Sequence, residues 1–421
     1  MFYSIFGKEI NSSQYLKLSL FSLLPISMIL GNMVLNINIL LIDIILLYYC
    51  VINNYWSWLK SKLFIILITL YSYLIINSLI AYQNEPSFGP EGIIRSLGFI
   101  KFIIFSFSFQ ILINEKELSL ILRNWLIVIL IIIFDIFFEK YFGHNVLGFT
   151  SLDGTRIISF FYDESIVGGF VLCFGFISCC YFFKFNNEKK KIFLNIVLLL
   201  LPLSIFITGE RANFLKSFFL FSLIIIFINS SFLIIGKKKF FLILITLFVI
   251  GISFSKTIFI KQTEFFERIF VVQEAENFTQ RFQKIKYFAH FNVAWEIFKE
   301  NPIIGVGSKN FRHECGKEKY FNSEITLTVQ RCNTHPHQIH FELLAEQGLI
   351  GYLITISLLL YFVKNNLSKN LKKNSIFNLS LNLYILIFFL PFLPGGGIFS
   401  TLSGFLFWLP FSLANINKYQ I

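Results

Sequence analysis

Charge is what this 421-residue chain has least of. Asp, Glu, Lys and Arg make up 14% of it, against about a quarter in an ordinary soluble domain. Hydrophobic residues make up 56%, aromatic residues 19%, and mean hydropathy is +0.70. The deficit excludes a soluble globular domain, and repeated apolar runs of roughly 17–22 residues put the chain in the polytopic membrane class. A small-residue cleavage site is missing after the first run, so that run reads as a retained helix and not a removed signal peptide. No chain of acidic residues runs through the apolar runs, which weakens a transporter reading. Asp43, Lys101 and Asp135 are the clearest intramembrane charges, and Asp43 with Lys101 is a candidate pair across helices or the mark of an ion path. The net charge of +12 does not signal nucleic acid, because the lysines fall between apolar runs in a pattern that topology explains.

The fold expected is all-α and polytopic. About twelve spans are predicted, near 15–30, 34–52, 63–82, 93–113, 119–138, 166–184, 192–208, 212–235, 239–255, 341–363, 376–392 and 398–416. Lys60 and Lys62, Lys189 to Lys191, Lys237 to Lys239 and Lys369 to Lys373 all fall on one side if the spans alternate. By the positive-inside rule that side is cytoplasmic, with both termini inside. The chain then divides into 1–255 with spans one to nine, a loop domain 256–340 containing helices, and 341–421 with spans ten to twelve. The loops on the opposite side are rich in Gly, Pro and isolated arginines, and function is expected to collect there, since irregular polar backbone at a membrane survives only in protein or lining a cavity.

The long polar interval carries most of the signal. Residues 281–300 show helical apolar spacing through Phe282, Ile285, Phe288, Ala289, Val293 and Ile297, and Asn301-Pro302 should stop that helix. Gly305 and Gly307 allow a tight turn. A second helix is expected to start near Pro336, capped by Asn333 or Thr334, with His337 in its first turn and Gly348 and Gly351 permitting close packing of a neighbour. A histidine there is largely neutral at pH 7 and able to accept a proton. Arg211, in T-G-E-R-A-N, enters an apolar run from the same side, where an arginine is costly without a partner or ligand and where its planar fork suits phosphate oxygens. Arg95 and Arg156 are further outer-face arginines. His335, His337 and His340 with Glu342 and Glu346 look like a ligand cluster, but a proline separates the first two and the i, i+4 pair of a zinc helix is missing, so no metal is expected.

Three segments together resemble the O-antigen ligase and polymerase superfamily: T-G-E-R-A-N-F-L (Thr208 to Leu215), N-P-I-I-G-V-G-S-K-N-F (Asn301 to Phe311) and H-P-H-Q-I-H-F-E-L-L-A-E-Q-G-L-I-G (His335 to Gly351). The sharpest element is His337-Gln338 followed at a fixed distance by Gly348 and Gly351. The resemblance implies a glycosyltransferase in the bacterial inner membrane, active at the periplasmic face. Its donor would be a glycan on undecaprenyl pyrophosphate and its acceptor a lipid A–core sugar, with no cofactor. His337 would be the general base and Arg211 would stabilise the leaving diphosphate. Arg156, Arg95, Arg281, Lys286 and Gln338 are the further candidates to bind pyrophosphate or sugar. Family members often carry Arg and then Trp in the loop helix; here those positions look like Tyr287 and Phe291. Arg281, Lys284 and Lys286 are the nearby substitutes, so the second phosphate-binding cation is unassigned. The motifs do not separate a ligase from a polymerase or a protein O-oligosaccharyltransferase, and a polysaccharide or lipid transporter is the alternative of another class.

Of six cysteines, Cys50, Cys173, Cys179 and Cys180 lie in apolar runs and read as buried small side chains. Cys315 and Cys332 lie in the polar interval, and a disulfide between them would close a loop worth roughly 3 kcal/mol in an oxidising compartment. Alkylation of the unreduced protein, followed by mass measurement, should leave both thiols unmodified; modification of either one rules the pairing out.

Overall fold

The computed structural model describes residues 12–151, 156–162, 166–183, 188–227, 236–240, 242–243, 245–246, 286–323, 325, 327–373, 376–391 and 393–414. Most of the expected ninth span, residues 256–285 and with them Arg281 lie outside the described residues, as does the side chain of Lys286. Helices are the only regular elements among the residues described.

In chain order these are α1 (Ser12–Ser22), α2 (Leu24–Ile29), α3 (Asn32–Ile52), α4 (Lys62–Asn84), α5 (Glu91–Gly98), α6 (Ile100–Leu112), α7 (Glu115–Phe142), α8 (Val167–Phe182), α9 (Glu188–Ile207), α10 (Arg211–Phe227), α11 (Lys286–Glu300), α12 (Ile339–Lys373), α13 (Ile376–Phe388) and α14 (Leu402–Ala414). Five stretches are long and apolar enough to cross a membrane: Asn32–Ile52, Lys62–Asn84, Glu91–Leu112, Glu115–Phe142 and Ile339–Asn366. Shorter apolar helices stand at the expected sixth, seventh, eleventh and twelfth spans. The expected first span is instead two helices. They part at Leu23, where Pro25 enters the first turn of α2 and supplies no amide donor.

α3 shows why these helices suit lipid. Leu35, Ile39, Ile42 and Leu46 are buried against the bundle, while Met33, Ile37, Leu40 and Ile44 are exposed on the opposite side. An element apolar all round belongs in a core or a membrane. α7 starts at a capping box, in which Asn114 accepts from the Glu117 amide and Glu117 accepts from the Asn114 amide; it ends at Gly143 with φ 82°. Lys101 donates to Asn36 Oδ1 at 2.6 Å and makes no ion pair with Asp43. The core between α6, α7, α8 and α14 is largely aromatic, with Phe109 against Trp125, Trp125 against Phe174, and Phe102 against Trp408.

The polar interval has its own small core. α11 buries Val293, Ala294 and Ile297 against Val306, Phe311, Cys315 and Tyr320. It ends at Glu300, just before Asn301-Pro302. Cys315 and Cys332 are joined by a disulfide with Cα atoms 5.4 Å apart. Arg331 fastens the same turn, donating from Nε to the Cys315 carbonyl at 2.9 Å. Cys50, Cys173, Cys179 and Cys180 are buried free thiols.

The link between this unit and the helices is a break in α12. Gly348 has φ 61° and ψ −168° inside it, a combination essentially confined to glycine. The turn from Pro302 to Gly307 docks into the break. Val306 and Gly307 amides donate to the carbonyls of Ala345 and Glu346, and Leu349 and Ile350 amides donate to those of Pro302 and Ile303, at 2.8–3.2 Å. Gly305 and Gly307, with φ of 71° and 93°, make the turn possible. Gly348 is therefore a backbone break and not a packing notch for a neighbouring helix, because a Cβ there would overlap the Ile303 carbonyl. Gly351 does allow close packing: its Cβ would run into Tyr73 of α4. Replacing Gly348 with Ala should cost about 2–4 kcal/mol, from a forbidden backbone angle plus a clash with main chain. Thermal unfolding of the detergent-purified protein measures this, and an unchanged midpoint would show that the break is not strained.

Candidate functional site

The docked turn positions a polar cluster on α5 and α12. Glu346, buried in α12, accepts the Lys309 amide at 2.8 Å and lies 3.7 Å from Arg95. Glu342, one turn earlier, takes Arg95 at 3.2 Å. Gln347 donates to Ser308, which Ser96 also reaches. Arg95 thus has two carboxylate partners and holds α5 to α12. His340 is committed as well, with Nδ1 3.1 Å from the Tyr352 hydroxyl and Nε2 2.9 Å from the Phe389 carbonyl.

His337 precedes α12. The expectation that it lies in a first helical turn starting near Pro336 is corrected: the helix starts at Ile339, and Gln338 Oε1 caps it by accepting the Phe341 amide at 3.0 Å. Asn333 and Thr334 are not the caps. Gln338 is buried and uses its side chain for this purpose. His337 takes φ 59°, a left-handed conformation uncommon for a residue with a Cβ. Its carbonyl is held by the Gly395 amide at 2.8 Å. Its imidazole is half-buried, 4.3 Å from the ring of His335, 5.4 Å from that of buried His290 and 5.7 Å from that of Tyr287. Strained backbone of this kind persists only where the surroundings over-determine it. Tyr287 stands beside His337 in space.

Arg211 opens α10 at an exposed turn. Gly209, with φ 79°, bends the chain between α9 and α10. Glu210 is buried there and accepts the Gly168 amide at 2.7 Å and the side chain of Asn213. Gly168 and Gly169 are needed at this approach, since a Cβ on either would press on Glu210 or Asn213. Burial pushes the Glu210 carboxyl above its ordinary range, against the opposing effect of those hydrogen bonds and of the Arg156 charge. Arg156 lies alongside: the Ile157 amide donates to the Thr208 carbonyl at 3.3 Å. Its strap is held by Glu139, which accepts the Ile158 and Ser159 amides at 3.1 and 2.7 Å. Arg156 and Arg211 are both exposed, on two segments that this backbone bond joins.

The two halves meet through residues 393–397. Gly395 binds the His337 carbonyl on one side. On the other, the Lys216 ammonium of α10 stands 3.1 Å from where a Gly395 Cβ would be, and 4.9 Å from the centre of the Phe388 ring. Gly395 thereby links α10, which begins at Arg211, to the His337 backbone, whereas Arg95 is engaged by Glu342 and Glu346. Sequence reasoning missed Lys216, Glu210 and Gly395. A lysine inside an apolar run was the available signal for the first; the other two act through backbone contacts that no pattern displays.

Residues 196–356 match the family model described as O-antigen ligase. This match supports a relationship to the O-antigen ligase superfamily. The match begins in α9 and ends in α12, so it covers the Arg211 turn, the docked glycine turn and His337. Members of the family are glycosyltransferase-like enzymes. A comparison with curated proteins finds no match.

His335 shares the His337 cluster, with Nδ1 3.0 Å from the Thr334 hydroxyl. Burial, reinforced by the Arg95 charge, lowers its imidazole to about 4. The folded state therefore prefers neutral His335. Its stabilising contribution is complete above the unfolded value near 6.5 and is lost as pH falls from there towards 4, by about 3 kcal/mol in all. The unfolding midpoint of the purified protein should drop over that window, and His335→Gln should flatten the drop; an identical pH dependence in both proteins would refute it.

Proposed function

We propose that this chain is an O-antigen ligase-like glycosyltransferase. It moves a glycan from undecaprenyl pyrophosphate to a lipid A–core sugar at the periplasmic face of the bacterial inner membrane. In this reading the chain has about twelve spans, both termini in the cytoplasm and a loop domain at 256–340. The observation that supports it is that the family match covers both Arg211 and His337, with Gly395 bridging α10, at Lys216, to the His337 carbonyl.

The chemistry follows from the charges. The acceptor hydroxyl oxygen attacks the anomeric carbon while the bond from that carbon to the diphosphate oxygen breaks. The hydroxyl proton passes to the His337 ring, and the leaving diphosphate keeps the electron pair. Diphosphate needs charge stabilisation more than a proton, and preorganised cations in a water-poor site provide it. Arg211 is the cation at the reacting end and Arg156 flanks it. No nucleotide sugar and no metal take part.

His337→Ala should lower transfer by roughly 10²–10⁴-fold, the usual worth of a positioned base. Arg211→Ala should lower it by roughly 10²–10³-fold. The amount of protein in the membrane should stay unchanged. In a deletion strain complemented with each variant, lipid-linked polymer should accumulate without attachment to core. Full ligation by both variants ends the catalytic assignment, and core carrying a single repeat would make the enzyme a polymerase.

A further inference from the structure

Lys216 is the cation that the preceding chemistry does not use. Its side chain is buried, the residue being 5% exposed. It lies on α10, five residues beyond Arg211, which is about 1.4 turns deeper along the helix. Among the described residues its ammonium has no hydrogen bond and no carboxylate within ion-pair distance; its close neighbours are the Phe388 ring and the Gly395 backbone. The charge of Glu210 reaches it, but that carboxylate is occupied by the Gly168 amide and Asn213. Arg95 shows what a structural cation looks like in this fold, with two carboxylates in reach.

A buried ammonium is expensive unless an anion compensates it. Here the compensating anion must come from outside the described side chains. The position of Lys216 says which: Gly395 separates its ammonium from the His337 backbone, and Arg211 stands on the same helix nearer its start. We propose that Lys216 is a second cation for the diphosphate of the lipid-linked donor, binding from the membrane side while Arg211 binds from the mouth. This rests on the reading of the site as one that takes a lipid diphosphate.

The test is binding of farnesyl diphosphate and of inorganic pyrophosphate to the full-length, detergent-purified chain. Lys216→Met should weaken both at least tenfold, and Lys216→Arg should recover most of the loss. A dependence on Lys216 for farnesyl diphosphate alone would also support the site and assign it to the lipid-borne headgroup. Wild-type binding in Lys216→Met, with binding lost in Arg211→Ala, overturns the Lys216 assignment and leaves the functional reading intact. A wild-type chain that binds neither probe overturns the functional reading itself. Should Lys216→Met fail to fold, amine acetylation of the wild type decides. Farnesyl diphosphate should protect Lys216 from the reagent; equal labelling with and without it, or no labelling at all, overturns the proposal.

Discussion

The arrangement depends on a broken helix. α12 gives up its own hydrogen bonds around Gly348, and the turn from Pro302 to Gly307 replaces them with four backbone bonds. Each such bond is worth about 1 kcal/mol net, but an unmade one in a buried place costs more. The exchange therefore works only if the turn is present and correctly shaped. Tyr73 and Asn77 of α4 complete it, donating to the Gln347 and Ile304 carbonyls. The polar interval is thereby fixed to the apolar helices, and the segment carrying His337 enters α12 from a rigid base.

Buried carboxylates repeat the same logic elsewhere at this end of the bundle. Glu139 gathers the amides of Ile158 and Ser159 and so holds the strap bearing Arg156. Glu210 takes the Gly168 amide and fixes the turn bearing Arg211. Glu346 takes the Lys309 amide and, with Glu342, Arg95. Main-chain N–H donors, the Asn213 side chain and one guanidinium engage these acidic side chains, so three irregular segments are anchored where irregular backbone would otherwise be unstable. Arg156 and Arg211 at these segments are exposed.

Much of this was legible in the sequence because hydropathy and turn residues are local signals. The apolar runs at 34–52, 63–82, 93–113, 119–138 and 341–363 correspond to the five long apolar stretches. The stop at Asn301-Pro302 and the buried stripe of Ala289, Val293 and Ile297 were readable for the same reason. Cys315 and Cys332 read as a pair because both fall in the polar interval. What failed was non-local. Gly348 looked like a packing glycine because nothing in its neighbours announces a turn arriving from residues 302–307. His337 looked helical because Asn333, Thr334 and Gln338 are all plausible caps. Only the Gly395 amide, 58 residues away, shows why the chain stays left-handed at His337 and starts its helix two residues later.

Arg95 and Lys216 show how one fold separates holding from binding. Both are cations inside largely apolar surroundings, and both sit on helices that reach the same end of the bundle. Arg95 has a planar fork and meets two glutamates one turn apart on α12, a geometry that neutralises it within the protein. Lys216 has a compact charge on a flexible stem and meets a ring face and a glycine backbone, which attract it weakly by comparison. Gly395 contributes by having no side chain: a Cβ there would lie 3.1 Å from the ammonium, while its amide is occupied by the His337 carbonyl. One glycine thus lets the imidazole-bearing backbone and the buried lysine approach closely, and a Cβ there would press on the ammonium.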